Sequence, residues 1–186
     1  EEEGVPTDSH TATYAALRFY IENWRWAGVP FFLRTGKRLP KRVSEIAIRF
    51  RHVPHMLFDG GPLSDIEPNV LAMKIQPDEG ISLRFDSKVP GQSNQIRPVT
   101  MDFRYNSSFG VESPEAYERL LLDALLGDST LFTRSDEVQA SWALITPIQE
   151  NWDNTPPPQF PNYEAGSWGP AAADDLLGAG RKWRRL

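Results

Sequence analysis

A chain of 186 residues and 21.1 kDa allows one sizeable domain or two very small ones, and 40% hydrophobic with 24% charged residues excludes wholesale disorder. No apolar run reaches the ~18 residues of a membrane-spanning helix, and Glu1-Glu2-Glu3-Gly4 lacks the apolar stretch a secretory signal needs. The lack of cysteine excludes disulfide frameworks, thiolate zinc sites and cysteine nucleophiles and fits a cytoplasmic compartment, while a net charge of −5 argues against a general nucleic-acid binder.

The chain opens without Met on a turn-like Glu3-Gly4-Val5-Pro6, as expected of a piece of a longer protein. The first element predicted is a helix from about Ser9 to Trp26. Thr7, Asp8 and Ser9 would cap it, Tyr14, Leu17, Ile21 and Trp24 recur at helical spacing, and Gly28 and Pro30 would stop it. Val29 to Leu33 is a short apolar run that reads as a buried strand entering a tight turn at Thr35-Gly36.

The middle of the chain has β character. Ile46, Ile48 and Phe50 alternate with Glu45, Ala47 and Arg49, and Leu71, Met73 and Ile75 alternate with Val70, Ala72 and Lys74. Ile81, Leu83 and Phe85 follow, then Val99, Met101, Phe103 and Tyr105. This period of two predicts antiparallel strands with one buried and one more polar face. Gln76-Pro77-Asp78-Glu79-Gly80 has hairpin-turn chemistry, and Pro54 to Pro68 reads as a longer loop.

Helices are predicted again after Gly110. Ser113 would cap the first, with Pro114 at its first position, Glu115 at the positive end of the dipole and Gly127 as its stop. Tyr117, Leu120, Leu121, Ala124 and Leu125 form its apolar stripe. Ser135-Asp136-Glu137 opens the next, with Val138, Trp142 and Ile145 on one face and Pro147 as a kink or an end. Pro156-Pro157-Pro158 and Pro161 favour extended polyproline geometry. The order of elements predicts an α+β fold: a large, mainly antiparallel sheet with helices packed on one face.

Charge is unevenly spread. Arg34, Lys37, Arg38, Lys41 and Arg42 fall within nine residues with no acid among them. A cationic run in an acidic chain suits an anion site, because Lys and Arg offer charge-assisted donors to phosphate oxygens. The same run also suits a solvated loop after a strand. Arg181-Lys182-Trp183-Arg184-Arg185 reads as a disordered tail. His10, His52 and His55 have no carboxylate at metal-ligand spacing, and no glycine-rich phosphate loop or nucleophile elbow occurs. Nothing in the chain reads as a nucleophile or general base. The six tryptophans read as packing residues.

Several motifs in order along the chain carry a family resemblance. They are Asp8-Ser9-His10-Thr11-Ala12-Thr13-Tyr14, Asn23-Trp24-Arg25-Trp26-Ala27-Gly28-Val29-Pro30-Phe31, Leu33-Arg34-Thr35-Gly36-Lys37, Ile75-Gln76-Pro77-Asp78-Glu79, Ala116-Tyr117-Glu118-Arg119-Leu120 and Tyr163-Glu164-Ala165-Gly166-Ser167-Trp168-Gly169-Pro170. Together they resemble the C-terminal domain of bacterial-type glucose-6-phosphate dehydrogenase. The resemblance implies oxidation of glucose 6-phosphate to 6-phosphogluconolactone with NADP as hydride acceptor, the entry to the oxidative pentose phosphate pathway. It further implies that residues 1–186 are the substrate-binding and dimerisation domain. The coenzyme-binding Rossmann domain and the catalytic histidine would then lie outside this sequence.

Residue by residue, the resemblance assigns substrate binding to Lys37, Arg42 and Gln76 and homodimerisation to the sheet. Lys41 has no counterpart. Some members bind a second, structural NADP in this domain. Here Val43 stands where those forms carry a basic residue, and Trp168 where they carry an arginine, so the resemblance implies no second coenzyme. The competing reading of the same residues is a non-catalytic sheet module for protein assembly with a solvated basic loop.

Overall fold

The computed structural model describes residues 4–6, 8–53, 67–91, 95–110, 116–157 and 159–185. It divides into two units, Glu1–Lys41 with Leu131–Leu186, and Arg42–Thr130. Both contain antiparallel strands and helices, so the chain is α+β as its order of elements predicts. The strands are shared between two sheets, one of two strands and one of four. Residues 54–66 of the predicted loop, the helix start predicted at Ser113, Pro114 and Glu115, the predicted cap Thr7, and Pro158 lie outside the described residues.

In the first unit, β1 (Tyr14–Phe19) pairs with β2 (Phe31–Gly36) over six residue pairs, from Tyr14↔Gly36 to Phe19↔Phe31. The helix predicted over Ser9–Trp26 is therefore corrected to a strand and an irregular turn that ends at Gly28, φ +73°. Tyr14, Leu17 and Ile21 satisfy a helical period, but Ala15, Leu17 and Phe19 also share one face of a strand. There they meet Thr35, Leu33 and Phe31, and the Phe19 and Phe31 rings stack at 5.3 Å. A complete cross-strand ladder outweighs the few tenths of a kcal/mol per residue of local helix preference.

The other face of this hairpin carries Tyr14, Arg18, Phe32 and Arg34, and the C-terminal segment lies on it. Arg18 donates to the Leu176 carbonyl at 3.4 Å. Helix α4 (Ala172–Asp175) carries the buried Ala173 and is followed by the buried Leu177. Trp183 donates its indole N–H to the Ala173 carbonyl at 3.0 Å and sets its ring edge-on to Phe32. The tail predicted to be disordered is thus a packed strap. Its tryptophan supplies the apolar area that its four cations conceal in a composition count.

In this unit the helix α3 spans Ser135–Asp153, and Glu137 accepts from the Arg134 backbone N–H at 3.2 Å to close its first turn. Pro147 does not end α3, which continues to Asp153. The one intrahelical bond it removes belongs to the carbonyl of Ala143, an exposed residue that water can reach.

In the second unit, β3 (Ser44–Arg49), β4 (Val70–Gln76), β5 (Gly80–Lys88) and β6 (Ile96–Arg104) pair antiparallel in sequence order. The hairpin turn predicted after Gln76 is present. The register pairs Ile46 with Met73, Met73 with Ile81, and Ile81 with Phe103; Leu71, Leu83 and Met101 pair likewise. Directly paired residues share a face, so these side chains form one apolar surface. In this chain that surface is open: Ile46 is 54% and Met101 62% exposed. The buried positions, Ala72, Gly80 and Ser82, lie on the opposite face.

Helix α1 (Tyr105–Phe109) continues from β6 and brings Phe109 back to Phe103 at 6.4 Å. Helix α2 (Ala116–Leu126) ends at Gly127, φ +74°, as predicted. Its predicted apolar stripe is not a buried face here, since Leu125 is 87% exposed. The residue it buries is Asp123, 1% exposed, whose carboxylate lies 2.9 Å from Arg119 Nε. A lone buried carboxylate would be costly, and the i,i+4 arginine offsets that cost. No helix among the described residues is long and apolar enough to cross a membrane.

Candidate functional site

The cationic run separates into residues with different duties. Arg34 serves packing. Its guanidinium lies 4.9 Å from the Trp168 ring centre and 5.0 Å from that of Trp183, and Nη2 donates to the Arg184 carbonyl at 2.6 Å. Arginine suits this place because its planar, weakly hydrated cation stacks on aromatic faces. Burial pulls the Arg34 pKa below the ordinary arginine value, opposed by Tyr14 and Asp174. Burial pushes the Tyr14 phenol up, against the pull of Arg34. Trp168 and Trp183 fulfil the packing role predicted for the tryptophans, as does Trp26 against Phe31. Trp24 does not; it is fully exposed on an irregular turn.

Lys37 follows β2 directly and is exposed. Its backbone is held on both sides. The N–H donates to the Thr13 carbonyl at 2.8 Å, and its carbonyl accepts from the Tyr163 hydroxyl at 3.1 Å. The next residue, Arg38, is at φ +55°, a left-handed conformation uncommon outside glycine, and its carbonyl accepts from Gly166 N–H at 2.7 Å. The turn thus turns the chain sharply while its carbonyls remain paired, leaving the Lys37 side chain exposed.

Arg42 and Gln76 meet in the second unit. With Pro77 they line an open hollow of about 270 Å³. A register irregularity between Ser44 and Glu45 pairs Ser44 with Gln76, and Gln76 Nε2 donates to Ser44 Oγ at 3.0 Å. This bond fixes the amide so that its oxygen remains as an acceptor and its second N–H as a donor. Arg42, two residues before β3, supplies a cation at the same rim. Lys41, also exposed, is the last residue of the first unit.

The family resemblance assigned Lys37, Arg42 and Gln76; the sequence did not reveal the groups that hold them, Thr13, Tyr163 and Gly166 around Lys37 and Ser44 beside Gln76. The closely spaced Gly166 and Gly169 around Trp168 were the available signal for a shaped contact segment. A second hollow of about 550 Å³ is lined by Tyr20, Glu22 and Trp24 and carries no cation. Among the described residues no group of His, Asp and Glu could hold a metal ion. The side chains presented are two cations and an amide, groups that can donate hydrogen bonds to an oxyanion.

A family profile described as "Glucose-6-phosphate dehydrogenase, C-terminal domain" matches residues 1–184. Glucose-6-phosphate 1-dehydrogenase of Chlamydia pneumoniae is 54% identical over 189 residues, which cover 100% of this chain and 37% of that protein. The Aggregatibacter actinomycetemcomitans enzyme of that name is 53% identical, with 100% and 36% covered. The crystal structure of glucose-6-phosphate 1-dehydrogenase from Mycobacterium avium superposes with a TM-score of 0.81 at 38% identity, covering 99% of this chain and 37% of that one. A glucose-6-phosphate dehydrogenase "in complex with its substrate glucose-6-phosphate" gives 0.82 at 38% identity, covering 98% and 37%. The chain spans little more than a third of the length of these relatives.

Proposed function

The chain belongs to the glucose-6-phosphate dehydrogenase C-terminal domain family, and from that premise we propose that it is the substrate-binding and dimerisation part of an NADP-linked glucose-6-phosphate dehydrogenase. In this reading the whole enzyme oxidises glucose 6-phosphate to 6-phosphogluconolactone in the cytoplasm as the first step of the pentose phosphate pathway. Lys37 reaches the bound sugar phosphate, Arg42 makes a second basic contact with the substrate, and Gln76 contacts the substrate region near the sheet. The observation that carries the reading is the placement of these residues: a lysine held on an exposed turn, and an arginine and a tethered glutamine on one rim.

The physical reason is charge. A sugar phosphate carries about two negative charges at neutral pH, and its oxygens accept charge-assisted bonds. Ammonium and guanidinium groups donate to such oxygens and cannot accept, so they orient the ester without competing for its protons. NADP, when bound, accepts the hydride. The described residues of this chain include no glycine-rich dinucleotide loop, and the chain's share of the work is to bind and orient the sugar phosphate. Trp168, where forms with a structural coenzyme carry an arginine, packs on the Arg34 cation and offers none of its own. The reading therefore includes no second coenzyme site.

Dimerisation is assigned to the open apolar face of the four-stranded sheet, centred on Ile81 and Met101. Such a face leaves water favourably only against another surface, and a second copy supplies a matching one. The binding assignment is tested in the intact enzyme by the glucose 6-phosphate KM of Lys37→Ala and Arg42→Ala, with Lys41→Ala as the control.

A further inference from the structure

Lys37 can serve a substrate only if its turn keeps one shape, and that shape is not self-supporting. Arg38 sits at φ +55°, a conformation that persists in a non-glycine residue when its surroundings over-determine it. The surroundings come from a segment about 125 residues further on. The Tyr163 hydroxyl lies 3.1 Å from the Lys37 carbonyl and 3.1 Å from Thr13 Oγ1, and Gly166 N–H lies 2.7 Å from the Arg38 carbonyl.

Two carbonyls that can only accept face the phenol, that of Lys37 at 3.1 Å and that of Thr13 at 3.3 Å. The Thr13 carbonyl already accepts from the Lys37 N–H at 2.8 Å, so the single phenolic proton serves the nearer Lys37 carbonyl. Thr13 Oγ1 can then return its own proton to the phenol oxygen. The segment that carries Tyr163 is itself anchored. Ser167 closes a turn on the Glu164 carbonyl through both its N–H and its hydroxyl, Trp168 stacks on Arg34, and the Tyr163 ring lies 5.6 Å from that of Tyr14.

We infer that Tyr163 is a positioning residue for Lys37: its hydroxyl fixes the Lys37 carbonyl and so sets where the ammonium group emerges, although Tyr163 itself touches no substrate. The inference rests on the assignment of Lys37 to the sugar phosphate. It adds that phosphate binding depends on one phenolic proton outside the site.

The test uses the intact enzyme with Tyr163→Phe, which keeps the ring against Tyr14 and deletes the hydroxyl. The expected result is a glucose 6-phosphate KM raised about three- to tenfold, the range for one lost neutral hydrogen bond, with the coenzyme KM unchanged. Thr13→Val, which removes the hydroxyl on the other side of the phenol, should raise the same KM by a smaller factor. In Lys37→Ala the further loss of the Tyr163 hydroxyl should add nothing, because both changes act through one ammonium group. A KM rise that persists undiminished in the double variant overturns the inference. So does an unchanged KM in Tyr163→Phe while Lys37→Ala raises it, a result that leaves the site assignment standing. An unchanged KM in Lys37→Ala overturns both.

Discussion

Tyr14 and Gly169 compete for one volume of space. A Cβ on Gly169 would stand only 2.6 Å from Tyr14 Cζ, and one on Gly36, directly across the ladder from Tyr14, would stand 2.7 Å from its Cδ2. The ring therefore occupies a slot between two residues with no side chain. Gly169 also has φ +104°, so two independent requirements exclude a side chain there.

Gly169→Ala should accordingly destabilise the fold by about 2–4 kcal/mol, combining overpacking with positive-φ strain. Gly178→Ala is the comparison: it shares a positive φ, +71°, but its nearest neighbour is Arg181 Nη1 at 3.8 Å. It should cost about 1 kcal/mol. Denaturant unfolding of both variants measures the difference.

Arg34→Lys should loosen the C-terminal strap. Lysine keeps the charge but loses the planar stack between two indoles and the donor to Arg184. A partly buried cation–π contact is worth about 0.5–2 kcal/mol. Limited proteolysis should cut after Arg181 or Lys182 faster in this variant than in the parent.

Tyr14 gives the fold an alkaline limit. Burial raises its folded pKa above the ordinary value of 10.0. Its contribution is therefore complete below pH 10 and is lost as pH rises through the folded value, since the unfolded phenol ionises first. In urea unfolding followed from pH 8 upward, Tyr14→Phe should flatten the alkaline fall. At pH 7 it should be neutral or stabilising, because it deletes a buried hydroxyl that has no hydrogen-bond partner.

Loss of one charge-assisted contact to the phosphate, at about 1.5–3 kcal/mol, should raise the glucose 6-phosphate KM roughly ten- to a hundredfold in Lys37→Ala or Arg42→Ala. Coenzyme KM and the Lys41→Ala control should stay near the parent values. Equal and small effects at all three positions would leave only a solvated basic loop.

Two results are expected of the 186-residue chain by itself. It should reduce no NADP with glucose 6-phosphate, since no general base is evident in its sequence. It should also self-associate at micromolar concentration, and Ile81→Asp with Met101→Asp should yield monomers in sedimentation. A monomeric parent chain would remove the sheet face from the dimer assignment.

Much was legible locally. The alternation Ile46, Ile48 and Leu71, Met73 marked strands because period two matches the pleat, and Gly127 marked a helix end because glycine accepts a left-handed cap. The cationic run that holds Lys37 and Arg42 stood out from the net charge, whereas Gln76 and the substrate role of all three came from the family resemblance. The same local reading failed between Ser9 and Trp26, where a pattern compatible with both periods was decided by pairing with Phe31–Gly36. It failed again at the basic tail, where Trp183 docks on Phe32 and Arg34.

The sequence by itself determined which side chains seek to leave water, where turns fall, and that cations cluster against the net charge. Periodicity and residue chemistry are properties of neighbours along the chain, so they need no third dimension. Only the tertiary structure decided that Arg34 stacks between Trp168 and Trp183, and that the Lys37 turn is held by Tyr163 and Gly166. Those contacts join residues more than a hundred positions apart. Their energies depend on distance and angle, which a linear pattern does not contain.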